Sequence, residues 1–375
     1  MSILFEETRL INIELKNRFV RSATGDGFAD PTGKVTEKQI GFFSRLAKGG
    51  VGFIITGLTA VHLKGRVAAT QNSIETEEHI PGFRKLVDTV HKAGARIAVE
   101  LAHGGRESAR FLKENNEKAI GPSIIPDDPY FEHENLDMSE DDILVVIDSF
   151  GEAAKRAREA GFDAVQLHGA HAYLLSQFLS PFTNHRNDCW GGTLENRLRL
   201  HKEVIRNIRE KVGEDYPVLI KMGVQDGFAG GLSLEEGKKA AELLVGWGVD
   251  AIEVSQGLRG KYFGETEFRT KIDTIEQEAY FRNLCRCVKA VADVPVIMVG
   301  GLRSFELMEE IVMNNEADFI SLCRPLIREP DLINKWLKGS RHRSRCISCN
   351  RCIEPLKKGE TLRCVQEDEA GFMEG

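Results

Sequence analysis

The sequence predicts an α/β protein, a (β/α)8 TIM barrel with a short C-terminal cysteine-rich segment. A short apolar run followed by an amphipathic stretch recurs eight times along the chain. The length of 375 residues is normal for such a barrel with insertions. No G-x-G-x-x-G motif follows the first predicted strand, which disfavours an open Rossmann-like sheet.

The eight predicted strands are short and almost continuously apolar. The run 296–299, Val-Ile-Met-Val, is one example. Such runs are typical of parallel strands that are buried on both faces. The predicted strands are Phe19–Ser22, Val51–Thr56, Arg96–Leu101, Ala164–His168, Pro217–Lys221, Ala251–Ser255, Pro295–Val299 and Asp318–Leu322.

The eight predicted helices follow the strands in turn, and several end at a glycine. Gly161 is one such end, because glycine adopts the left-handed conformation of a helix C-terminus without steric cost. Ser233 and Glu236 form a capping-type start. The predicted helices are Glu37–Lys48, Gly82–Ala93, Asp142–Ala160, Leu194–Val212, Leu234–Gly246, Gln277–Ala292, Ser304–Asn314 and Pro330–Leu337.

The composition is that of a globular protein, with 42% hydrophobic residues, 29% charged residues and a formal net charge of -7. A mildly acidic surface disfavours nucleic acid or an anionic membrane as a partner. Residues 1–15 carry acidic groups and no long apolar run, unlike a secretory signal. The other apolar runs fall short of the ~20 residues that span a bilayer. We therefore expect a soluble cytoplasmic protein.

The ends of the seventh and eighth predicted strands favour anion binding. Gly300 and Gly301 expose backbone N–H groups just before a helix N-terminus, and Arg324 can add a bidentate contact. Barrels of this type commonly bind phosphate in these two loops. The alternative is that the glycines only permit tight turns.

His168 ends the fourth predicted strand, and His171 and Tyr173 follow it, so the three lie within six residues. Neutral imidazoles can donate N–H hydrogen bonds to a carbonyl or phenolate oxygen, and a tyrosine can supply a proton. The alternatives are that the histidines cap backbone carbonyls or bind a metal, but no nearby carboxylate completes a metal triad in sequence.

Four cysteines, Cys346, Cys349, Cys352 and Cys364, lie near the C-terminus. In a cytoplasmic protein such a cluster indicates metal binding more than disulfides. Zinc sites usually pair cysteines in two knuckles, whereas three close cysteines and one distant one are typical of a [4Fe-4S] cluster. The spacing therefore favours iron–sulfur, with zinc as the alternative, and divides the chain into a barrel (1–340) and a four-cysteine segment (341–375).

Five motifs occur in a fixed order along the chain. They are Leu15–Val20, His103–Arg106, Gly121–Ser123, His168–Pro181 and Gly191–Arg197. Together they resemble the Old Yellow Enzyme family of NADH:flavin oxidoreductases, from near the N-terminus to about residue 335. The resemblance implies FMN at the C-terminal mouth of the barrel and reduction of activated C=C bonds with NAD(P)H as co-substrate.

The resemblance also implies roles for individual residues. His168 and His171 match the pair that binds the oxygen of an unsaturated carbonyl-type substrate, and Tyr173 matches the proton donor to its α-carbon. Lys221 takes the position of a cation, usually Arg, near flavin N1 and O2, where it would stabilise reduced flavin. Glu100 stands where the family usually has Gln at the flavin pyrimidine edge. The other cofactor positions are Gly300, Gly301 and Arg324 for the phosphate and Ser22, Ala23 and Thr24 for the ring.

The four-cysteine segment resembles the [4Fe-4S] segment of trimethylamine dehydrogenase and 2,4-dienoyl-CoA reductase. Those relatives continue into FAD- and nucleotide-binding domains, and no sequence follows Gly375 here. We therefore expect a separate electron carrier, such as a ferredoxin or an electron-transfer flavoprotein.

The leading hypothesis is an ene-reductase-type flavoenzyme. A second is an amine- or dienoyl-CoA-directed oxidoreductase that passes single electrons through the cluster. A third is a non-flavin barrel that binds a phosphorylated metabolite and carries a structural zinc tail. An absorbance spectrum separates the flavin hypotheses from the third. The natural substrate, the choice between NADH and NADPH, and the oligomeric state are left open.

Overall fold

Eight parallel strands close into a barrel in the computed structural model, which describes residues 2–126, 128, 131, 133–260 and 266–366. The strands are β1 (Phe19–Arg21), β2 (Phe53–Ile55), β3 (Arg96–Ala102), β4 (Ala164–Gly169), β5 (Val218–Gly223), β6 (Ala251–Ser255), β7 (Val296–Met298) and β8 (Phe319–Leu322). Each strand pairs with its neighbours in chain order, and β8 pairs with β1. The predicted TIM barrel is confirmed.

Helices surround the barrel because each places one apolar face on the strands. Phe150 of the third helix and Ile205 of the fourth, for example, are fully buried. The surrounding helices are α1 (Glu37–Lys48), α2 (Ile80–Lys92), α3 (Glu140–Ala160), α4 (Arg199–Val212), α5 (Leu234–Gly246), α6 (Arg282–Lys289), α7 (Phe305–Met313) and α8 (Leu332–Leu337). None of the described helices is long and apolar enough to cross a bilayer.

Two predicted helices differ most from the structure. The predicted helix 194–212 divides at Leu198, where ψ is -5°, into Leu194–Arg197 and α4. The predicted helix 277–292 begins only at Arg282, because Ala279 has a left-handed backbone (φ 52°) that an α-helix does not accommodate.

An N-terminal hairpin, which the sequence analysis missed, closes the bottom of the barrel. Its strands are Thr8–Leu10 and Ile13–Leu15. Leu10, Ile13 and Leu15 pack against inward-facing barrel residues such as Phe53 and Phe319. Side chains of the hairpin therefore fill the barrel interior at this end.

The C-terminal segment folds back onto the barrel. The Ser344 N–H donates to Arg303 O at 3.0 Å, and the Leu362 N–H donates to Asp26 O at 2.9 Å. Arg343 Nε lies 2.7 Å from Glu278 Oε1. The segment therefore contacts the C-terminal mouth from residue 343 to residue 362. Residues 367–375 of the predicted four-cysteine segment lie outside the described residues.

Gly161→Ala is expected to lower the free energy of unfolding by ~1–2 kcal/mol. Gly161 ends α3 with φ 93°, a conformation that costs an L-residue about this much. Gly246→Ala, the control, is expected to be neutral or to stabilise by ~0.5–1 kcal/mol, because its φ is not positive and an added Cβ meets nothing within 4 Å. Urea unfolding of both variants tests this, and equal losses would contradict it.

Candidate active site

A cavity of about 450 Å³ opens at the C-terminal ends of the strands, the end where barrel enzymes hold their ligands. All the residues that sequence analysis nominated for catalysis and cofactor binding line it. They are Ser22, Ala23, Thr24, Glu100, His168, His171, Tyr173, Lys221, Gly300, Gly301 and Arg324.

A buried ion cluster forms the floor of this cavity. Lys221 Nζ lies 3.2 Å from Glu100 Oε1 and 3.4 Å from Glu253 Oε2, and all three side chains are buried. Sequence analysis missed Glu253. The available signal was a single charged residue inside the otherwise uncharged buried strand β6.

The two carboxylates of this cluster differ in their partners. Glu253 Oε1 accepts hydrogen bonds from Ser22 Oγ at 2.7 Å and Ser321 Oγ at 2.8 Å, and Oε2 accepts one from Gln166 Nε2 at 3.1 Å. Glu100 Oε1 is buried without a well-aligned hydrogen-bond donor in the described chain. Glu100 is therefore the less stabilised of the two anions.

Burial raises the pKa of Glu100 to about 7, and the negative charge of Glu253 adds to this, while Lys221 opposes it. Burial also disfavours the Lys221 ammonium, but the attraction of Glu100 and Glu253 outweighs burial and raises the pKa of Lys221. Lys221 therefore carries a positive charge at neutral pH.

His168, His171 and Tyr173 stand together above the cluster. The ring of His168 lies edge-on to both neighbours, with centroids 5.0 Å from His171 and 4.5 Å from Tyr173. His171 Nε2 is 2.7 Å from Ser255 Oγ. The Ala170 N–H points at His168 Nδ1 at 3.4 Å, which assigns the proton of a neutral His168 to Nε2.

The turn after β4, which carries His171 and Tyr173, has a strained backbone. His171 and Ala172 have φ values of 58° and 65°. The His171 N–H donates to Gln256 O and the Tyr173 N–H donates to Ala170 O, both at 3.1 Å. Left-handed non-glycine residues cost roughly 1–3 kcal/mol each and cluster at functional sites.

Burial sets the protonation of all three groups. Burial lowers the pKa of His168 and of His171 well below the ordinary value, and the positive charge of Lys221 adds to both shifts. Burial raises the pKa of Tyr173 to about 12. At neutral pH the site therefore offers two neutral imidazoles and a phenol that retains its proton.

The predicted phosphate corner has a backbone that requires glycine. Gly300 and Gly301 have φ values of 121° and 73°, and a Cβ on Gly301 would lie 2.8 Å from the Tyr280 ring. Arg324 Nη1 donates to Arg269 O at 2.7 Å and to Asn350 Oδ1 at 2.5 Å. Arg324 therefore joins the mouth of the barrel to the four-cysteine segment.

The four cysteines line one small cavity beside the mouth, together with Arg324, Arg328 and Arg345. Arg328 Nη1 lies 3.7 Å from Cys364 Sγ. Cys352 borders both this cavity and the main one. Within the described ranges, no group of three or more His, Cys, Asp or Glu side chains is placed to hold a metal ion. The four-cysteine metal site therefore stays a prediction.

The loops after β3 and β6 meet over the mouth. Arg259 Nε lies 2.6 Å from Glu267 Oε1, and Arg259 Nη1 lies 3.4 Å from Glu107 Oε2. Arg259 and Glu267 line the cavity, and sequence analysis gave neither a role. Residues 127, 129, 130, 132 and 261–265 of these loops lie outside the described residues.

The family comparison agrees with this geometry. Residues 3–342 match the model of the NADH:flavin oxidoreductase / NADH oxidase family, more than half of the chain. The chain belongs to this family. The predicted membership of the flavin oxidoreductases is confirmed.

Several similar proteins are longer than this chain. An NADH oxidase of Thermoanaerobacter brockii is 34% identical over 98% of this chain and 56% of its own length. A cinnamate reductase of Clostridium sporogenes is 31% identical over 98% of this chain and 58% of its own length. The structure of a 2-naphthoyl-CoA reductase superposes with a TM-score of 0.86 at 25% identity, covering 97% of this chain and 56% of that one. The chain thus spans a little more than half of each.

The free energy of unfolding is expected to fall more steeply with decreasing pH in the wild type than in His168→Gln/His171→Gln. Both histidines are neutral in the fold but bind protons in the unfolded chain below pH ~6.5, so each removes up to ~1.4 kcal/mol per pH unit below that value. Denaturant titrations at pH 7, 6 and 5 measure this. The exposed His133→Gln is the control and should follow the wild type. Identical pH profiles for wild type and double variant would contradict neutral, buried histidines.

Proposed function

We propose that this protein is an FMN-dependent oxidoreductase that uses NAD(P)H to reduce C=C bonds activated by a carbonyl group. The observation that supports this most strongly is the arrangement of His168, His171 and Tyr173 around one cavity that Lys221 also lines. Two neutral imidazoles and a protonated phenol beside a buried cation are the groups that reduction of an unsaturated carbonyl requires.

FMN fits the residues of the mouth in three respects. Glu100 Oε1 lacks an aligned donor among the described residues, and the flavin N3–H would supply one. Lys221 offers a positive charge for the N1–O2 edge of the ring. The backbone at Gly300 and Gly301, with Arg324 nearby, offers N–H and guanidinium groups for the phosphate.

Bound FMN would accept a hydride from NAD(P)H and deliver it to the substrate β-carbon. His168 and His171 would bind the substrate carbonyl oxygen through N–H donors and stabilise the charge that develops there. Nε2 is the nitrogen of His168 that carries the proton for this contact. Tyr173 would donate its proton to the α-carbon, since burial keeps the phenol protonated.

The relatives support a substrate of this class. Cinnamate carries a C=C bond conjugated with a carboxylate, and 2-naphthoyl-CoA carries an aromatic ring conjugated with a thioester carbonyl. In both compounds an oxygen beside the unsaturated system would meet the two histidines.

A second candidate is an amine- or dienoyl-CoA-directed oxidoreductase that exchanges single electrons through a [4Fe-4S] cluster. Cys346, Cys349, Cys352 and Cys364 line one cavity, and Cys352 also borders the main cavity. A [4Fe-4S] cluster is held by four cysteine thiolates, which is the number of cysteines that line this cavity. A ferredoxin or an electron-transfer flavoprotein would be the external carrier.

Tyr173→Phe is expected to slow reoxidation of the reduced enzyme by an enone at least ~10²-fold, because general acid catalysis contributes this much. Reduction by NAD(P)H should stay nearly unchanged, because the substrate is protonated only in the oxidative half-reaction. Anaerobic stopped-flow absorbance at the flavin bands measures the two halves separately.

The control is Tyr216→Phe, another buried tyrosine whose hydroxyl contacts Phe162 O rather than the mouth. It should leave both half-reactions unchanged. Equal slowing of both halves by Tyr173→Phe would make Tyr173 structural. A purified chain without flavin absorbance would overturn the proposal and favour the non-flavin barrel with a structural zinc tail.

Anaerobically prepared protein is expected to contain about four irons with matching sulfide per chain, as one [4Fe-4S] cluster requires. Cys352→Ser should lower the iron content and remove the broad visible absorbance of the cluster. The exposed Cys189→Ser is the matched control and should retain the iron. One zinc and no iron in the wild type would contradict the cluster and the single-electron role.

A further inference from the structure

We propose that Glu100 is a redox-linked proton acceptor, which binds one proton when flavin at the mouth takes up two electrons. The inference rests on the proposed function, because it requires FMN in the cavity. It assigns a distinct task to each carboxylate of the cluster: Glu253 holds Lys221, and Glu100 changes its protonation.

The two carboxylates have different hydrogen-bond partners, and this difference supports the division of tasks. Glu253 has three neutral donors, Ser22, Ser321 and Gln166, in addition to Lys221. These contacts come from β8, β4, β5 and Ser22, which follows β1, and they hold the carboxylate in one position.

Glu100 has a much poorer set of partners. Lys221 Nζ is 3.2 Å from Oε1, but no donor in the described chain is aligned for a hydrogen bond to this oxygen, so the N3–H of a bound flavin would be its one aligned donor, against three for Glu253. Glu100 Oε2 lies 3.9 Å from His168 Nε2, too far for a hydrogen bond, and is therefore the oxygen with room for a proton. Glu100 also lines the cavity.

The charges of the cluster do not balance. One ammonium, Lys221, faces two carboxylates, so the cluster carries a net charge of -1 when all three groups are ionised. Reduced, anionic flavin would add a second negative charge beside Lys221. Because buried like charges repel strongly in a low dielectric, a proton on Glu100 is the simplest relief.

The surroundings set the pH range of this exchange. Glu100 faces Lys221 from β5, Glu253 from β6, and His168 and Tyr173 from β4 and its following turn. Burial, first, and the charge of Glu253 raise the pKa of Glu100 to about 7, against the attraction of Lys221. A further negative charge would raise the pKa again, so above pH 7 reduction would increase the fraction of Glu100 that carries a proton.

The step balances in atoms and electrons. NAD(P)H supplies a hydride, which gives the flavin two electrons and one proton and leaves NAD(P)+. A second proton comes from solvent and forms one O–H bond on Glu100. Reoxidation of the flavin by substrate removes the extra charge and releases this proton.

The experiment is the midpoint potential of FMN-loaded protein as a function of pH between 7 and 8.5. Each proton taken up with two electrons steepens the dependence by about 30 mV per pH unit, because a tenfold change in equilibrium constant is 29.6 mV for this couple. We expect the wild type to be steeper than Glu100→Gln by up to this amount. Glu100→Asp keeps a carboxyl group and should restore much of the slope.

Glu242→Gln is the control for charge removal, since Glu242 lies on α5 and pairs with Lys239 at the surface. It should keep the wild-type slope. FMN bound with equal slopes in wild type and Glu100→Gln would overturn the inference while leaving the proposed function intact. Protein that binds no FMN would instead overturn the proposed function.

Difference infrared spectra on reduction give a second readout that does not depend on the folding of any variant. FMN-loaded wild type should gain a protonated-carboxyl band that shifts with ¹³C-labelled glutamate. Absence of that band at pH 7.5 would overturn the proton uptake. Its presence in wild type and its loss in Glu100→Gln would assign the proton to Glu100.

Discussion

The pairing of Lys221 with two buried carboxylates is the interaction on which the mouth of the barrel depends. Directly or through Glu253, it joins side chains from β3, β4, β5, β6 and β8 and from Ser22, which follows β1. Removing the Lys221 ammonium would leave two buried carboxylates without a cation, and breaking a buried ion pair in this way costs ~3–5 kcal/mol. The cluster therefore fixes the floor of the cavity and places a permanent positive charge there, and both consequences suit a cofactor that becomes negative on reduction.

The rest of the fold directs chemistry to this floor. The N-terminal hairpin fills the bottom of the barrel, and the polar cluster borders the cavity at the opposite end. The strained turn at His171 and Ala172 brings His171 and Tyr173 beside His168, which lies in β4. Arg324 and Asn350 then connect the cavity with the four-cysteine segment. The buried charges, the proton-donating side chains and the predicted electron-transfer segment thus lie next to the same cavity.

The sequence predicted the barrel and the lining of the cavity well, because strand-end positions follow directly from the alternation of strands and helices. Every nominated residue from Ser22 to Arg324 lies at the mouth. Glu253 was not predicted to belong to the site, because one acidic residue in an apolar strand does not reveal its partners, which come from elsewhere in the barrel. Arg259 was not predicted either, because loop conformation, not periodicity, brings it to Glu107 and Glu267. The interrupted helix at Ala279 depends on a local backbone conformation that composition does not encode.

A crystal structure of the protein with bound FMN would test directly whether the Lys221 cluster forms the floor of a flavin site. We expect the flavin ring to lie over Lys221, with its N1–O2 edge within hydrogen-bond distance of Nζ. Glu100 should lie against the pyrimidine edge, and the phosphate should bind at Gly300, Gly301 and Arg324. FMN bound elsewhere on the chain, or a mouth that stays empty at saturating FMN, would show that the Lys221 cluster is not a flavin site.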